Sequence, residues 1–405
     1  MAKKTNMSQQ SVTTRRTFLA ASAGIGLSAS VPSFAIAENK PIKVGIMLPY
    51  TGVLAKLGEN ITEAMLMRLE QVGNKLGGRP IEFVRVDSET SPPKAVDNVT
   101  KLVKGEGVDF VIGPVHSGVA IAMTKVMSRS PKTIMICPNA GNNDLTRRAC
   151  GANIFRTSFS NWQMGYPMGK VVHDAGHKRI VTMAWNYAAG HQMIEGFVEG
   201  FKEVGGSDPI EQIWPAFGDV EFQASLTKIA ALKPDAVMVF FSGTGAVKYA
   251  LEYDASIDRA SIPLYGVGFL SEGTLKAQGK AAEGLVTALH WADTLDTDQN
   301  KQFMADFTGR TERQTDVFAV QGFDTADVLI QALAKTDGDV ENTEALVKAI
   351  ENVSMDDSPR GPWQMSRYHN PVQDIYTRKV QDGVNVVTGL AHKGLSDPGT
   401  GCTKL

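Results

Sequence analysis

Cysteine is scarce in this 405-residue chain: Cys137, Cys150 and Cys402 are the only three, and no two form a C-x-x-C pair. The seven histidines are scattered as well, so no metal cluster is suggested. Charge of one sign is lacking. The net charge is −2, and the first 37 residues hold Lys3, Lys4, Arg15 and Arg16 with no acid, which leaves the remainder more acidic than the whole. That balance argues against nucleic acid and anionic membranes as partners. Beyond the N-terminus no stretch reads as long and apolar enough to cross a bilayer, so no membrane insertion is expected. Enzyme signatures are missing too: there is no G-x-S-x-G elbow, no Walker A loop and no G-x-G-x-x-G opening a helix after a strand. No cofactor and no catalytic residue are implied.

What is present is an ordinary globular composition, 43% hydrophobic and 21% charged, on a chain longer than one core usually serves. Two lobes are expected. Residues 1–37 read as a twin-arginine export signal: Thr14-Arg15-Arg16-Thr17-Phe18-Leu19, a mildly apolar Gly/Ser-rich stretch from Ala20 to Ser30, and Ala35-Ile36-Ala37 before cleavage. A mature start at Glu38, free in the periplasm, follows. Three cysteines suit that oxidising compartment as one disulfide plus one buried thiol. Cys150 lies beside Gly151 and Cys402 in a Gly-rich tail, which favours that pair, with Cys137–Cys150 as the alternative.

The mature chain alternates short β-branched runs with helical patterns. Ile42–Leu48, Pro80–Val86, Asp109–Ile112 and Thr133–Ile136 read as strands, with helices between them, one running to about Gly73 and another from Pro93 to Gly105. The pattern repeats with strands at Lys178–Trp185, Pro209–Trp214, Asp235–Phe241, Ile262–Phe269 and Gly284–Trp291. Such βα alternation predicts an α/β fold of two doubly wound parallel-sheet lobes. Residues 298–353 read as largely helical, consistent with a chain that crosses back to cover the first lobe. Gly361–Val387 reads as antiparallel strands with a turn at Gln381-Asp382-Gly383.

The strand-to-helix loops Gly113–Gly118 and Cys137–Asn142 would gather free N–H groups and a favourable helix dipole, an anion site. Other strand ends carry polar or aromatic tips: Pro49-Tyr50-Thr51, Asn186-Tyr187, Ser242-Gly243-Thr244 and Gly268-Phe269. Tips on two sheet edges that face one another would form a ligand cleft. Tyr50, Trp162, Tyr187, Phe241 and Phe269 offer flat apolar walls, and His116 a donor beside Ser117.

At these residues the chain resembles the branched-chain amino-acid-binding type of periplasmic solute-binding proteins of ABC importers, which have the type I fold. The likeness rests on Ile42-Lys43-Val44-Gly45 with Thr51-Gly52 and Gly58, Val111-Ile112-Gly113 with Ser117, and Pro138-Asn139-Ala140-Gly141 with Asp144-Leu145-Thr146. Phe155-Arg156-Thr157, Tyr187 with Gly190, and Ala281-Ala282-Glu283-Gly284 extend it along the chain. The resemblance implies two lobes joined by three crossover segments: 38–157 plus 291–374 as the N-terminal lobe and 158–290 plus 375–405 as the C-terminal lobe. It implies a hinged trap that delivers a small ligand to a membrane permease and its ATPase subunits. It also assigns the ligand carboxylate to Ser117, sited where an N-cap would be, and to the Asn139-Ala140-Gly141 stretch, with Tyr187 touching the ligand and Leu57 at a wall position often held by an aromatic residue.

Two departures bear on the ligand. The family's threonine in the fourth-strand loop is Gly141 here, and its amine-accepting acid aligns with Gly268, although Glu272 is close by. With nothing at Gly268 to meet an ammonium, the expected ligand is a carboxylate without an amine, preferably aromatic or aryl-alkyl. A branched-chain or other aliphatic amino acid is the alternative, which Glu272 would permit. A receptor that hands its signal to a membrane protein is a third reading.

Overall fold

The structure is a computed structural model that describes residues 40–405. The twin-arginine stretch and the cleavage site lie outside the described residues. The first sheet is built from β1 (Ile42–Leu48), β2 (Lys75–Leu76), β3 (Arg79–Asp87), β4 (Phe110–Ile112), β5 (Ile134–Cys137) and β6 (Ile154–Arg156). Its order is β2-β3-β1-β4-β5-β6, parallel throughout except for the short β2–β3 hairpin. The helices between these strands are α1 (Ala55–Gln71), α2 (Pro92–Thr100) and α3 (Ser117–Met127). β4 and β5 are buried at every residue, as strands covered on both faces must be.

The second sheet starts after α4 (Asn161–Asp174). It contains β7 (Ile180–Ala184), β8 (Glu211–Ile213), β9 (Ala236–Phe240), β10 (Leu264–Val267) and β11 (Val286–Leu289). Between them run α5 (Ala188–Glu203), α6 (Gln223–Leu232), α7 (Gly243–Ser256) and the single turn α8 (Leu275–Gln278). The parallel order β11-β10-β9-β7-β8 reverses between β7 and β9, and the first sheet reverses between β4 and β1. At such switch points successive loops turn away to opposite faces and leave a crevice beyond the strand ends. The cleft therefore has two such edges, one per lobe.

The helical stretch is α9 (Asp298–Thr311), α10 (Val317–Lys335) and α11 (Thr343–Glu351). α10 crosses back onto α1 of the first lobe so closely that a Cβ on Gly322 would lie 2.1 Å from the Ile61 carbonyl oxygen. One correction applies here. By length and apolar composition α10 passes for a membrane span, against the sequence expectation, but 72% of its apolar window is buried in the protein and it serves as a core helix.

The chain ends in β12 (Ser354–Met355), β13 (Trp363–Met365), β14 (Pro371–Gln381) and β15 (Val384–Leu395), added antiparallel to the second sheet. β14 and β15 turn on Asp382 and Gly383, both at positive φ (51° and 76°), as a two-residue hairpin turn requires. Cys150 is bonded to Cys402 with Cα atoms 5.7 Å apart, and Arg147 forks onto Asp397 at 3.0 Å, so the tail is pinned to the first lobe's loop. Cys137 is the buried free thiol, and burial pushes its pKa up to about 12.

α4 and α5 meet through glycine. A Cβ on Gly165 would sit 2.0 Å from the Met193 carbonyl oxygen, and one on Gly169 would sit 2.1 Å from the Phe201 nitrogen. Only hydrogen fits between these backbones. Gly165→Val should lower stability by at least about 1–3 kcal/mol, the usual cost of overpacking, read as a fall in the urea midpoint.

Candidate functional site

Between the two switch points lies a narrow slot. Leu57, Ser117, Asn139 and Gly141 line it from the first lobe, with Tyr187, Phe240, Ser242 and Phe269 opposite. Phe159 and Asn161, at the crossing into the second lobe, and Phe318, at the start of α10, close it. No lining residue carries a charge.

The polar end is built at the start of α3. His116 caps this helix: its Nδ1 accepts from the amides of Gly118 at 3.1 Å and Val119 at 3.3 Å. Ser117 was expected at the cap, but it is the first helical residue, which leaves its hydroxyl free for the slot. Ser117 Oγ accepts from Asn161 Nδ2 at 3.3 Å, so its own proton can be donated inward. Among the described residues, the amides of Ser117 and Gly141 have no acceptor within the protein. Ser117 and Gly141 thus bring three unspent donors to the slot lining, beside the N-terminus of α3.

Behind them Arg156 is fully buried and bonds only neutral groups: Nη1 to the Asn142 carbonyl at 2.8 Å, Nε to Asn370 at 2.7 Å, and Nη2 to Thr146. Burial pulls its pKa down to about 10, which still leaves it cationic at neutral pH. A positive charge therefore lies beneath the Asn139–Thr146 loop.

The opposite end is aromatic. Phe269 lies 5.0 Å from Phe159 and 5.9 Å from Phe318 between ring centroids, and meets Phe240 edge-on at 6.1 Å. These spacings are those of rings in contact. They leave a flat apolar enclosure.

Leu57, Ser117, Asn139, Gly141, Tyr187 and Phe269 are brought together at the slot, and the other six sequence candidates stand elsewhere. Tyr50 bonds Thr62 on α1 at 2.8 Å, away from the slot. His116 backs Tyr187, with ring centroids 5.2 Å apart, and burial lowers its pKa to about 4, so it is a neutral cap. Ala140 is buried and its amide is spent on the Pro114 carbonyl at 3.0 Å. Trp162 lies on Tyr166 and donates to Glu199 at 3.0 Å. Phe241 points to the far face of its strand, onto Trp185, Phe222 and Tyr249; strand alternation gives the slot its neighbour Phe240 instead. Gly268 has no side-chain room: a Cβ would meet Leu289 Cβ at 2.5 Å and Arg378 Nη2 at 2.7 Å.

Arg378 also decides the state of Glu272. Its buried guanidinium contacts the Glu272 carboxylate through Nη1 and bonds the carbonyls of Trp291 at 2.8 Å and Gly268 at 2.9 Å. The second Glu272 oxygen accepts from the Val317 amide, at the start of α10, at 2.9 Å. Burial raises the Glu272 pKa to about 7 against the pull of Arg378. Both oxygens are engaged, and Glu272 does not line the slot.

Sequence reading missed Phe159, Asn161, Phe240 and Phe318, and named Ser242 only as part of a strand-end tip. Ser160 and Gln163 form a capping box that marks the start of α4, and hence the place of Asn161, but not its direction. Gly141 has a structural reason as well. A Cβ there would fall 2.3 Å from Asn161 Oδ1 and 2.5 Å from Phe159, so the volume of a larger side chain is already occupied.

Comparison with known proteins agrees with this architecture. A solute-binding protein of an ABC transporter from R. palustris, solved in complex with benzoate, is 44% identical, with a TM-score of 0.87 over 90% of this chain and 100% of that one. Another, from Rhodopseudomonas palustris BisB5 in complex with 3,4-dihydroxybenzoic acid, is 28% identical, with a TM-score of 0.83 over 89% of this chain and 99% of that one. Among curated sequences, Leu/Ile/Val-binding protein homolog 6 of Brucella melitensis biotype 1 is 26% identical over 84% of this chain and 87% of its own length. The family described as periplasmic binding protein matches residues 41–385. The chain belongs to this family, and it is a substrate-binding protein of an ABC transporter rather than an enzyme.

Proposed function

We propose that the protein captures a small aromatic carboxylate in the interlobe slot and delivers it to the permease and ATPase subunits of its importer. Export by the twin-arginine signal and hinging at the crossings near residues 157, 290 and 374 belong to the same reading. The carboxylate meets Ser117 and the Asn139–Gly141 backbone, while Leu57, Tyr187 and Phe269, joined by Phe159, Phe240 and Phe318, enclose the ring. Closure is a population shift: ligand touching both walls favours the closed form that the permease recognises.

The observation that carries the reading is a slot with convergent neutral donors, an aromatic enclosure and no carboxylate among its lining residues. An ammonium buried there would meet no carboxylate, only neutral acceptors such as the unpaired Asn161 Oδ1, and a buried charge without a counter-charge costs several kcal/mol. The benzoate complex of the 44% identical relative points the same way. An aliphatic amino acid is the second reading, favoured by the names of the 26% identical relatives. It requires Glu272 to leave Arg378.

Mass spectrometry of protein purified without denaturation should find a co-purified aryl carboxylate; leucine, isoleucine or valine in its place would favour the second reading. Ser117→Ala should weaken aryl-acid binding by about 1–3 kcal/mol, the loss of a hydrogen bond to a charged group, measured by calorimetry.

His116 gives a pH prediction. Its pKa is about 4 in the folded chain against 6.5 ordinarily, so the unfolded chain takes up the proton first as pH falls. Its contribution to stability is complete above about pH 6.5 and is lost towards pH 4, while aryl-acid affinity should stay level between about pH 6.5 and 8. Paired calorimetric and chemical-denaturation series across this range check both.

A further inference from the structure

Ser242 ends the turn after β9 and occupies the N-cap position of α7, where a serine oxygen ordinarily accepts from the helix's first amides. Here it does not. Its backbone is extended at φ −145° and ψ 164°, its side chain makes no capping bond, and it lines the slot. The residue is only 6% exposed, yet among the described residues its hydroxyl has no hydrogen-bond partner. As a slot-lining group it is free to pair with a ligand.

The neighbouring chain fixes where this hydroxyl stands. Gly243, at φ +54°, is pressed against the first lobe: a Cβ there would lie 2.5 Å from the Val53 carbonyl oxygen and 3.7 Å from Leu57. Ser242 is thereby held on the wall opposite Ser117, beside the aromatic enclosure. The Tyr187 hydroxyl, also in the second lobe's wall, is likewise without a bond to the protein, and burial raises its pKa. The first lobe's donors suit a carboxylate. A hydroxyl in the second lobe's wall, able both to donate and to accept, suits a neutral hydroxyl on the ring.

We infer that Ser242 is a specificity-determining residue that hydrogen-bonds a ring hydroxyl, so that the slot prefers a hydroxybenzoate to benzoate. This inference rests on the aryl-carboxylate reading above. A site built to pair a hydroxyl discriminates against the analogue that lacks it, because its own polar group is then left unpaired.

The test is calorimetry of the mature wild-type protein and Ser242→Ala with benzoate, 3-hydroxybenzoate, 4-hydroxybenzoate and leucine. For the wild type, at least one hydroxybenzoate should bind about tenfold more tightly than benzoate. Ser242→Ala should abolish that advantage, bringing the ratio of hydroxybenzoate to benzoate affinity to about one. Its melting temperature should be unchanged, since no capping bond is lost. A hydroxyl advantage that survives in Ser242→Ala, or benzoate binding with no hydroxyl advantage in the wild type, overturns the role of Ser242 and leaves the aryl-carboxylate reading standing. Binding of leucine with no response to any aryl acid overturns that reading and this one together.

Discussion

A carboxylate taken out of water into an apolar slot needs its charge met at once, and on the proposed reading neutral groups meet it here. No charged side chain lines the slot, so the burden falls on the Ser117 hydroxyl, two unpaired amides and the dipole of α3. Much of the surrounding structure serves that constraint. His116 takes over the capping of α3 and frees Ser117, Asn161 orients the serine proton inward, and Arg156 places a cation beneath the loop without entering the site. None of these residues needs ligand present to be in place.

On the same reading the second lobe sets what else the ligand carries. Arg378 engages Glu272 and fills the space behind Gly268, so no carboxylate faces the slot from that side. The same Glu272 accepts from the Val317 amide on the helix that crosses back to the first lobe. Across the slot Gln192 of α5 accepts from the Asn143 amide at 2.9 Å and from Asn161 at 2.8 Å. These bonds join the two walls at either side of the slot.

Much of the fold was legible because its signals are local and repeated. Buried runs such as Phe110–Ile112 and Ile134–Cys137, each followed by a glycine or proline loop, announce parallel strands, and the Asp382-Gly383 turn announces the last hairpin. The lobe-one half of the site was legible for the same reason, since strand-end loops of a doubly wound sheet must face the crevice. Facing direction was not. Phe240 and Phe241 are adjacent aromatics, and only the tertiary packing of β9 decides which one meets the ligand. Phe318 and Asn161 come from helix starts remote in sequence, and although the Ser160 capping box marks one of these starts, nothing local gives the direction of either side chain. Glu272 was visible as an acid near the cleft, but its engagement by Arg378, 106 residues away, exists only in the folded chain.

The central claim is that the slot accepts a carboxylate and rejects an ammonium. Isothermal titration of the ligand-free mature protein with benzoate and with leucine tests it most directly. Benzoate should bind one to one, at least about a hundredfold more tightly than leucine, because a buried ammonium without a counter-charge costs several kcal/mol. Leucine binding as tight as benzoate, or tighter, would contradict the account.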